Sequence, residues 1–187
     1  VRVTVEAADS LQHDLPDEFV EPLLRELGVA DRQWHIRVDS TLPLGKGLGS
    51  SAAIAVAVAR AFNARCGLGL DDARINEIAF ASEKLAHGTP SGVDNTLATY
   101  ARPMLFHNQG ALEFEELEPG SIPPLVIAWG EETGRTSEQV AGVRERRERQ
   151  PDHFDAVFDA MGRLSRDGAG HLESANWEAL GALMNVC

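Results

Sequence analysis

Between Pro43 and Ala53 the chain places glycines at 45, 47 and 49, follows them with Ser50 and Ser51, and opens into an apolar, alanine-rich run. Glycines in this pattern let the backbone take conformations closed to other residues and bring it close to a bulky anion. N–H groups at the start of the following helix, backed by its dipole, then point at that anion. The two serines add hydroxyls, one of which could ligate a magnesium ion carried by phosphates. Gly45, Lys46, Gly47, Leu48, Gly49, Ser50, Ser51 and Ala52 therefore read as a cradle for a nucleoside triphosphate. Other glycine-rich readings fail on spacing. A Walker loop needs Lys-Ser/Thr after its last glycine, a dinucleotide fingerprint needs a third glycine in another place, and a hydrolase elbow needs Gly-x-Ser-x-Gly. A plain turn into a helix is the alternative that the residues leave open.

Phosphoryl transfer asks three things of a protein: a phosphate cradle, a cation to spread developing charge, and a group that positions or deprotonates the acceptor hydroxyl. Magnesium takes hard oxygen ligands and few of them from protein, so Ser51 and Glu83 make a plausible pair. Glu83 falls about 40° from Ala79 on a helical wheel, at the edge of an apolar stripe, where a carboxylate is either partnered or functional. Asp94 follows across a loop bearing Gly88, Pro90 and Gly92 and is the candidate base. An Asp-Asn pair in a turn also satisfies backbone N–H groups, and that reading stays open. Aspartate, with a reference pKa of about 4, is a weak base toward an alcohol, so positioning weighs as much as proton abstraction.

The segment Pro-x-x-x-Gly-Leu-Gly-Ser-Ser-Ala-Ala ending at Ala53 resembles the second signature of the GHMP kinases. The segment Glu83 to Asn95, with its His-Gly-Thr-Pro-Ser-Gly-Val-Asp-Asn ending, resembles the mevalonate kinase branch of that family. The resemblance runs through most of the chain, to about Leu183-Met184-Asn185. It implies an α+β GHMP kinase fold: a ribosomal protein S5 domain 2-like N-terminal domain over residues 1–121, lacking its first strands, then the start of a ferredoxin-like domain over 122–187. It implies ATP-dependent, magnesium-assisted phosphorylation of mevalonate, with Asp94 catalytic and Ser51 and Glu83 at the metal. His87, Ser91 and Thr136 would border the acceptor pocket, although a helix-end histidine and a capping threonine account for two of them equally well. In the family a lysine lies against the aspartate. That lysine-bearing signature and a C-terminal glycine-rich one are absent here, so the expectation is the central part of a longer kinase. Lys46 departs from the branch, where a small residue is usual, and leaves phosphomevalonate or a sugar as rival acceptors. A nucleotide-binding homologue without turnover is the rival of another class.

Bulk properties narrow the partners. The 187 residues carry a formal charge of −12 and are 43% apolar, enough for a core and wrong in sign for a nucleic-acid partner. Cys66 and Cys187 make no disulfide framework and share no metal-ligand spacing with the histidines, which fits a reduced, cytoplasmic setting. The apolar run from Ala52 to Ala59 is too short to span a bilayer, so no membrane partner is expected. The resemblance allows a homodimer.

The elements that must position these groups follow from periodicity. Val1 to Glu6 and Trp34 to Asp39 alternate as strands, and Pro16 to Leu27 reads as an amphipathic helix. Ala52 to Arg65 alternates like a strand, but its length and alanine content predict a buried helix. After Asp71 or Asp72 as cap, Ile75, Ile78, Ala79, Ser82, Leu85 and Ala86 form a helical stripe. Thr96 to Tyr100 predicts a strand, Met104 to Phe106 with Leu112 to Phe114 a hairpin, and Pro124 to Trp129 a buried strand. Thr136-x-x-Gln139 has the form of a capping box opening a helix whose Arg/Glu run faces water. Phe154, Val157, Phe158, Met161 and Leu164, then Trp177, Leu180, Leu183 and Met184, predict buried helical stripes.

Overall fold

A computed structural model describes residues 1–43, 45–87, 90–108, 112–122, 124–130 and 136–186. The chain divides into two compact units, Val1–Ala101 and Arg102–Cys187. The sequence placed its domain boundary near residue 121; the geometric division precedes the predicted hairpin.

In the first unit, β1 (Arg2–Ala7), β2 (Gln12–His13) and β3 (Trp34–Asp39) form a sheet in the order β1-β3-β2. Strands β1 and β3 are antiparallel with Val5 opposite Ile36, and β2 joins β3 in parallel. Alternation turns Val5, Trp34 and Ile36 inward, against Val20, Leu23 and Leu24 of helix α1 (Asp17–Glu26). Trp34 meets Phe62 edge to face at 5.1 Å, and its indole Nε1 donates to the Val29 carbonyl at 2.9 Å. That bond satisfies the polar end of a side chain otherwise surrounded by apolar groups.

Helix α2 (Ser50–Cys66) runs through the centre of this unit, burying Ala52, Ile54, Ala55, Val56, Val58, Ala59 and Phe62. It ends at Gly67 in the left-handed conformation, and the connector behind it is clamped by one side chain. Asn63 Nδ2 donates to the Leu70 carbonyl at 2.8 Å, and Leu70 N–H donates to Asn63 Oδ1 at 2.9 Å. Helix α3 (Asp72–His87) follows, with Asp71 Oδ1 accepting from Arg74 N–H at 2.8 Å as a cap. Ile75, Ile78, Ala79, Ser82 and Glu83 are buried as the wheel predicts, but Leu85 is 65% exposed. The contact arc reaches from Ile78 round to Glu83, and Leu85 falls about 20° beyond its Ile78 end.

Residues 96–100 correct the sequence reading: they belong to helix α4 (Val93–Tyr100), not to a strand. Threonine and tyrosine favour strands locally, but here Thr96 Oγ1 donates to the Gly92 carbonyl and Thr99 Oγ1 to the Asn95 carbonyl, bonding back within the helix. Helices α3 and α4 both pack against α2, and α4 against α3.

The second unit opens with the predicted hairpin, β4 (Met104–Asn108) and β5 (Leu112–Glu116), with Phe106 opposite Phe114. Helices α5 (Thr136–Arg149), α6 (Pro151–Glu173) and α7 (Trp177–Met184) follow. On α5, Arg147 pairs with Asp155 and Arg149 with Glu145, the solvated face that mixed charge predicts. Helix α7 packs on α6 around Gly168, where a Cβ would stand in ordinary contact with Leu183 Cδ2 at 3.5 Å and Leu180 Cδ1 at 3.8 Å.

Two expectations of burial fail in this unit. The run from Pro124 to Trp129 is not a strand and is exposed, Val126 at 97%, because no described strand lies beside it to pair its backbone. The α6 stripe has the right period, yet Val157 and Met161 stay more than half exposed and neither α6 nor α7 buries a residue fully. Periodicity specifies an apolar face; burial needs a surface to cover it.

Candidate active site

Glycines 45, 47 and 49 all adopt the left-handed conformation, at φ of +67°, +72° and +62°. Only glycine takes that region without a steric penalty, which is why the spacing is Gly-x-Gly-x-Gly. Left-handed residues alternating with others can turn successive backbone N–H groups toward one side, as anion nests do. Gly49 is itself the N-cap of α2 and carries no capping side chain. The first backbone bond of the helix runs from Ala53 N–H to the Gly49 carbonyl at 3.0 Å. The N–H groups of Ser50, Ser51 and Ala52 precede it and have no acceptor inside the helix, the position at which helices bind anions.

Asp94 lies directly against this cradle. A Cβ built on Gly49 would stand 3.5 Å from Asp94 Cγ, 3.6 Å from its Cβ and 3.7 Å from Oδ1. Loop and carboxylate therefore lie in van der Waals reach of each other, and glycine is required at 49 by its left-handed backbone. Asp94 sits in the first turn of α4, behind the left-handed N-cap Gly92 (φ +84°), and is exposed on the solvent side. Two helix starts, those of α2 and α4, are thereby joined at one carboxylate.

A polar network behind Asp94 sets the placement of α4. Asn95, Thr96 and Thr99 are buried on the helix face next to Asp94. Asn95 Nδ2 donates to Asn76 Oδ1 on α3 at 2.6 Å, and Asn76 Nδ2 donates to Thr96 Oγ1 at 3.4 Å. At the other end of α4, Arg60 of α2 donates through Nη2 to the Thr99 carbonyl at 2.6 Å and to Asp72 Oδ1 at 3.0 Å. The sequence reading missed this network. Its partners lie 19 and 20 positions apart, on an element misread as a strand.

The other expected site residues are placed as follows. Ser50 is buried and Ser51 half-buried in the first turn of α2, while Lys46 is half-buried between two left-handed glycines. Glu83 is 4% exposed on α3, whose helix packs on both α2 and α4. Its neighbour Ser82 is 3% exposed, and the Ser82 hydroxyl has no hydrogen-bond partner among the described residues. Ser91 Oγ accepts from Val93 N–H at 3.3 Å in the exposed turn before α4. His87 is the last residue of α3 and Thr136 the first of α5, in the second unit; their side chains lie outside the described residues. The structure thus joins the cradle with Asp94, and leaves His87 and Thr136 without a described contact.

The donor set suits magnesium and a nucleotide. Among the described residues no group of three or more His, Cys, Asp or Glu forms a dedicated metal cage. Mg²⁺ seldom uses such a cage, taking one or two protein oxygens and the rest from phosphates and water. The Ser51 hydroxyl and the Glu83 carboxylate are oxygens of that kind.

Residues 14–102 match the family model "GHMP kinases N terminal domain". Over 157 residues the chain is 36% identical to the mevalonate kinase of Pyrococcus horikoshii, covering 81% of this chain and 45% of that protein. Over 150 residues it is 35% identical to the mevalonate kinase of Arabidopsis thaliana, covering 73% of this chain and 39% of that protein. Among solved structures, L. major mevalonate kinase in complex with R-mevalonate matches with a TM-score of 0.74 at 25% identity, over 98% of this chain and 62% of that one. The chain spans about half the length of the curated relatives it matches. With the α+β architecture and the glycine loop, residues 14–102 are a GHMP kinase N-terminal domain. Within that family the chain is similar to the mevalonate kinases. Among the described residues no helix is long and apolar enough to cross a membrane.

Proposed function

We propose that the protein carrying this chain transfers the γ-phosphoryl group of ATP to the primary alcohol of mevalonate. The observation that carries the proposal is the packing of Asp94 against Gly49, which sets a carboxylate beside the mouth of a left-handed glycine cradle at a helix start. Phosphates bound by the Ser50, Ser51 and Ala52 N–H groups would lie on the α2 axis, where the helix dipole favours negative charge. Asp94 would then face the acceptor hydroxyl, orient it for in-line attack and take its proton as the bond to phosphorus forms. Ser51 and Glu83 are the residues that would hold magnesium, which supplies charge neutralisation across the transferring phosphoryl group. Ser91 lies in the turn that leads into Asp94, and with His87 and Thr136 it remains a proposed acceptor contact.

Mevalonate is preferred over other acceptors because the similar proteins are named mevalonate kinases and one was solved with R-mevalonate. Lys46 favours the second reading, a phosphorylated acceptor, since it adds a positive charge to the glycine loop itself. ADP release by the complete reading frame should discriminate, measured with ATP and magnesium across mevalonate, phosphomevalonate, homoserine and galactose. Turnover on mevalonate supports the proposal. Turnover confined to another acceptor would move the assignment within the family, and ATP binding without turnover on any would mark a non-catalytic homologue.

A further inference from the structure

We infer that Asn76, on α3, is a positioning residue for Asp94. The inference depends on the proposed role of Asp94 and extends it to a side chain that touches neither nucleotide nor acceptor in that reading. Asp94 and Asn95 are consecutive on α4, so their side chains leave the helix about 100° apart. One points at Gly49 and the other into α3, where Asn95 Nδ2 meets Asn76 Oδ1 at 2.6 Å. Whatever fixes Asn95 therefore fixes the direction of Asp94.

Helix α4 has eight residues, too few for apolar packing alone to define its rotation. Its buried face is largely polar, built of Asn95, Thr96 and Thr99. The Thr96 and Thr99 hydroxyls donate back into α4 itself, to the carbonyls of Gly92 and Asn95. Such bonds stiffen the helix without orienting it. Arg60 holds the far end through the Thr99 carbonyl. At the Asp94 end, Asn76 supplies the tie to another helix: Oδ1 accepts from Asn95, and Nδ2 reaches Thr96 Oγ1. A helix with side chains is about 10–12 Å wide, so a 20° rotation of α4 would carry the Asp94 carboxylate about 2 Å along its arc. Misplacement of a reacting group by about 1 Å can cost on the order of a hundredfold in rate.

The test uses the complete reading frame and reads kcat, the KM for ATP and the urea midpoint of each variant. Asn76→Ala should lower kcat by roughly ten- to a hundredfold while the KM for ATP stays within about twofold, because the cradle is untouched. Asn76→Asp keeps an acceptor for Asn95 Nδ2 and should recover most of that loss. Thr99→Val removes a buried hydroxyl from the same helix and should lower the urea midpoint while kcat holds. Should Asn76→Ala not fold, Asn76→Ser, too short to reach Asn95, carries the same expectation. A kcat within about twofold of the parent in the Asn76 variant, or an equal loss in Thr99→Val, would overturn the positioning role. Asp94→Asn separates the two levels: if it is inactive while Asn76→Ala is normal, only the role of Asn76 falls, and if it turns over normally, both fall.

Discussion

Gly49→Ala tests the cradle because it tells backbone strain from steric collision. An alanine held at φ +62° costs roughly 1–2 kcal/mol relative to glycine. Its Cβ would meet Asp94 Cγ at 3.5 Å and Cβ at 3.6 Å, ordinary van der Waals distances that add little. Strain therefore decides the loss. Gly47→Ala is the matched control, with φ +72° and nothing within 4 Å of its Cβ. Urea unfolding followed by circular dichroism should show both variants losing the same ~1–2 kcal/mol, a five- to thirtyfold change in the folding equilibrium. Their kinetics should diverge. Gly49→Ala can relieve its strain only by moving the α2 cap against Asp94, so kcat falls at least tenfold. Gly47→Ala disturbs the phosphate contacts and raises the KM for ATP. A Gly49→Ala protein as stable as the parent, or one destabilised by more than about 3 kcal/mol while Gly47→Ala loses its ~1–2, would refute backbone strain as the main cause of the loss.

Asn63→Ala should lose about 1–3 kcal/mol in urea unfolding, since it strips both Leu70 backbone groups of their partners; an unchanged midpoint would mean water replaces them. Trp34→Phe leaves the Val29 carbonyl without its indole donor and should cost a similar ~1–3 kcal/mol, checked by the same measurement. Glu83→Gln keeps the shape of a buried side chain but removes its charge. If Glu83 serves magnesium, the variant should need more than about tenfold more magnesium for half-maximal turnover. A drop of about 3–5 kcal/mol in stability with normal magnesium dependence would instead make Glu83 half of a structural ion pair.

How far the sequence was legible depends on the range of the interactions involved. Strands β1 and β3 show in the alternation of Val3, Val5, Trp34 and Ile36, and α2 in the alanine content and length of its run, because both are local patterns imposed by one buried face. The cradle was legible for a similar reason: Gly45, Gly47 and Gly49 answer a backbone requirement that only their residue type meets. Helix α4 was not legible. Thr96, Thr99 and Tyr100 carry strand propensity, and the bonds that make them helical run to Gly92 and Asn95 within the helix and to Asn76 on another element. The two-residue strand β2 is too short for periodicity to show. The stripe at Val157 and Met161 and the run from Pro124 to Trp129 teach the converse point. Their apolar residues announce a face that is to be covered, while exposure depends on what lies beside it.

The most direct test of the account is Asp94→Asn in the complete reading frame, with ATP affinity and kcat measured on the same preparation. Asparagine preserves the packing against Gly49 and removes the group that accepts the proton. The account predicts a kcat reduced by about 10²- to 10⁴-fold with ATP affinity changed less than about twofold. Near-normal turnover in that variant would contradict it.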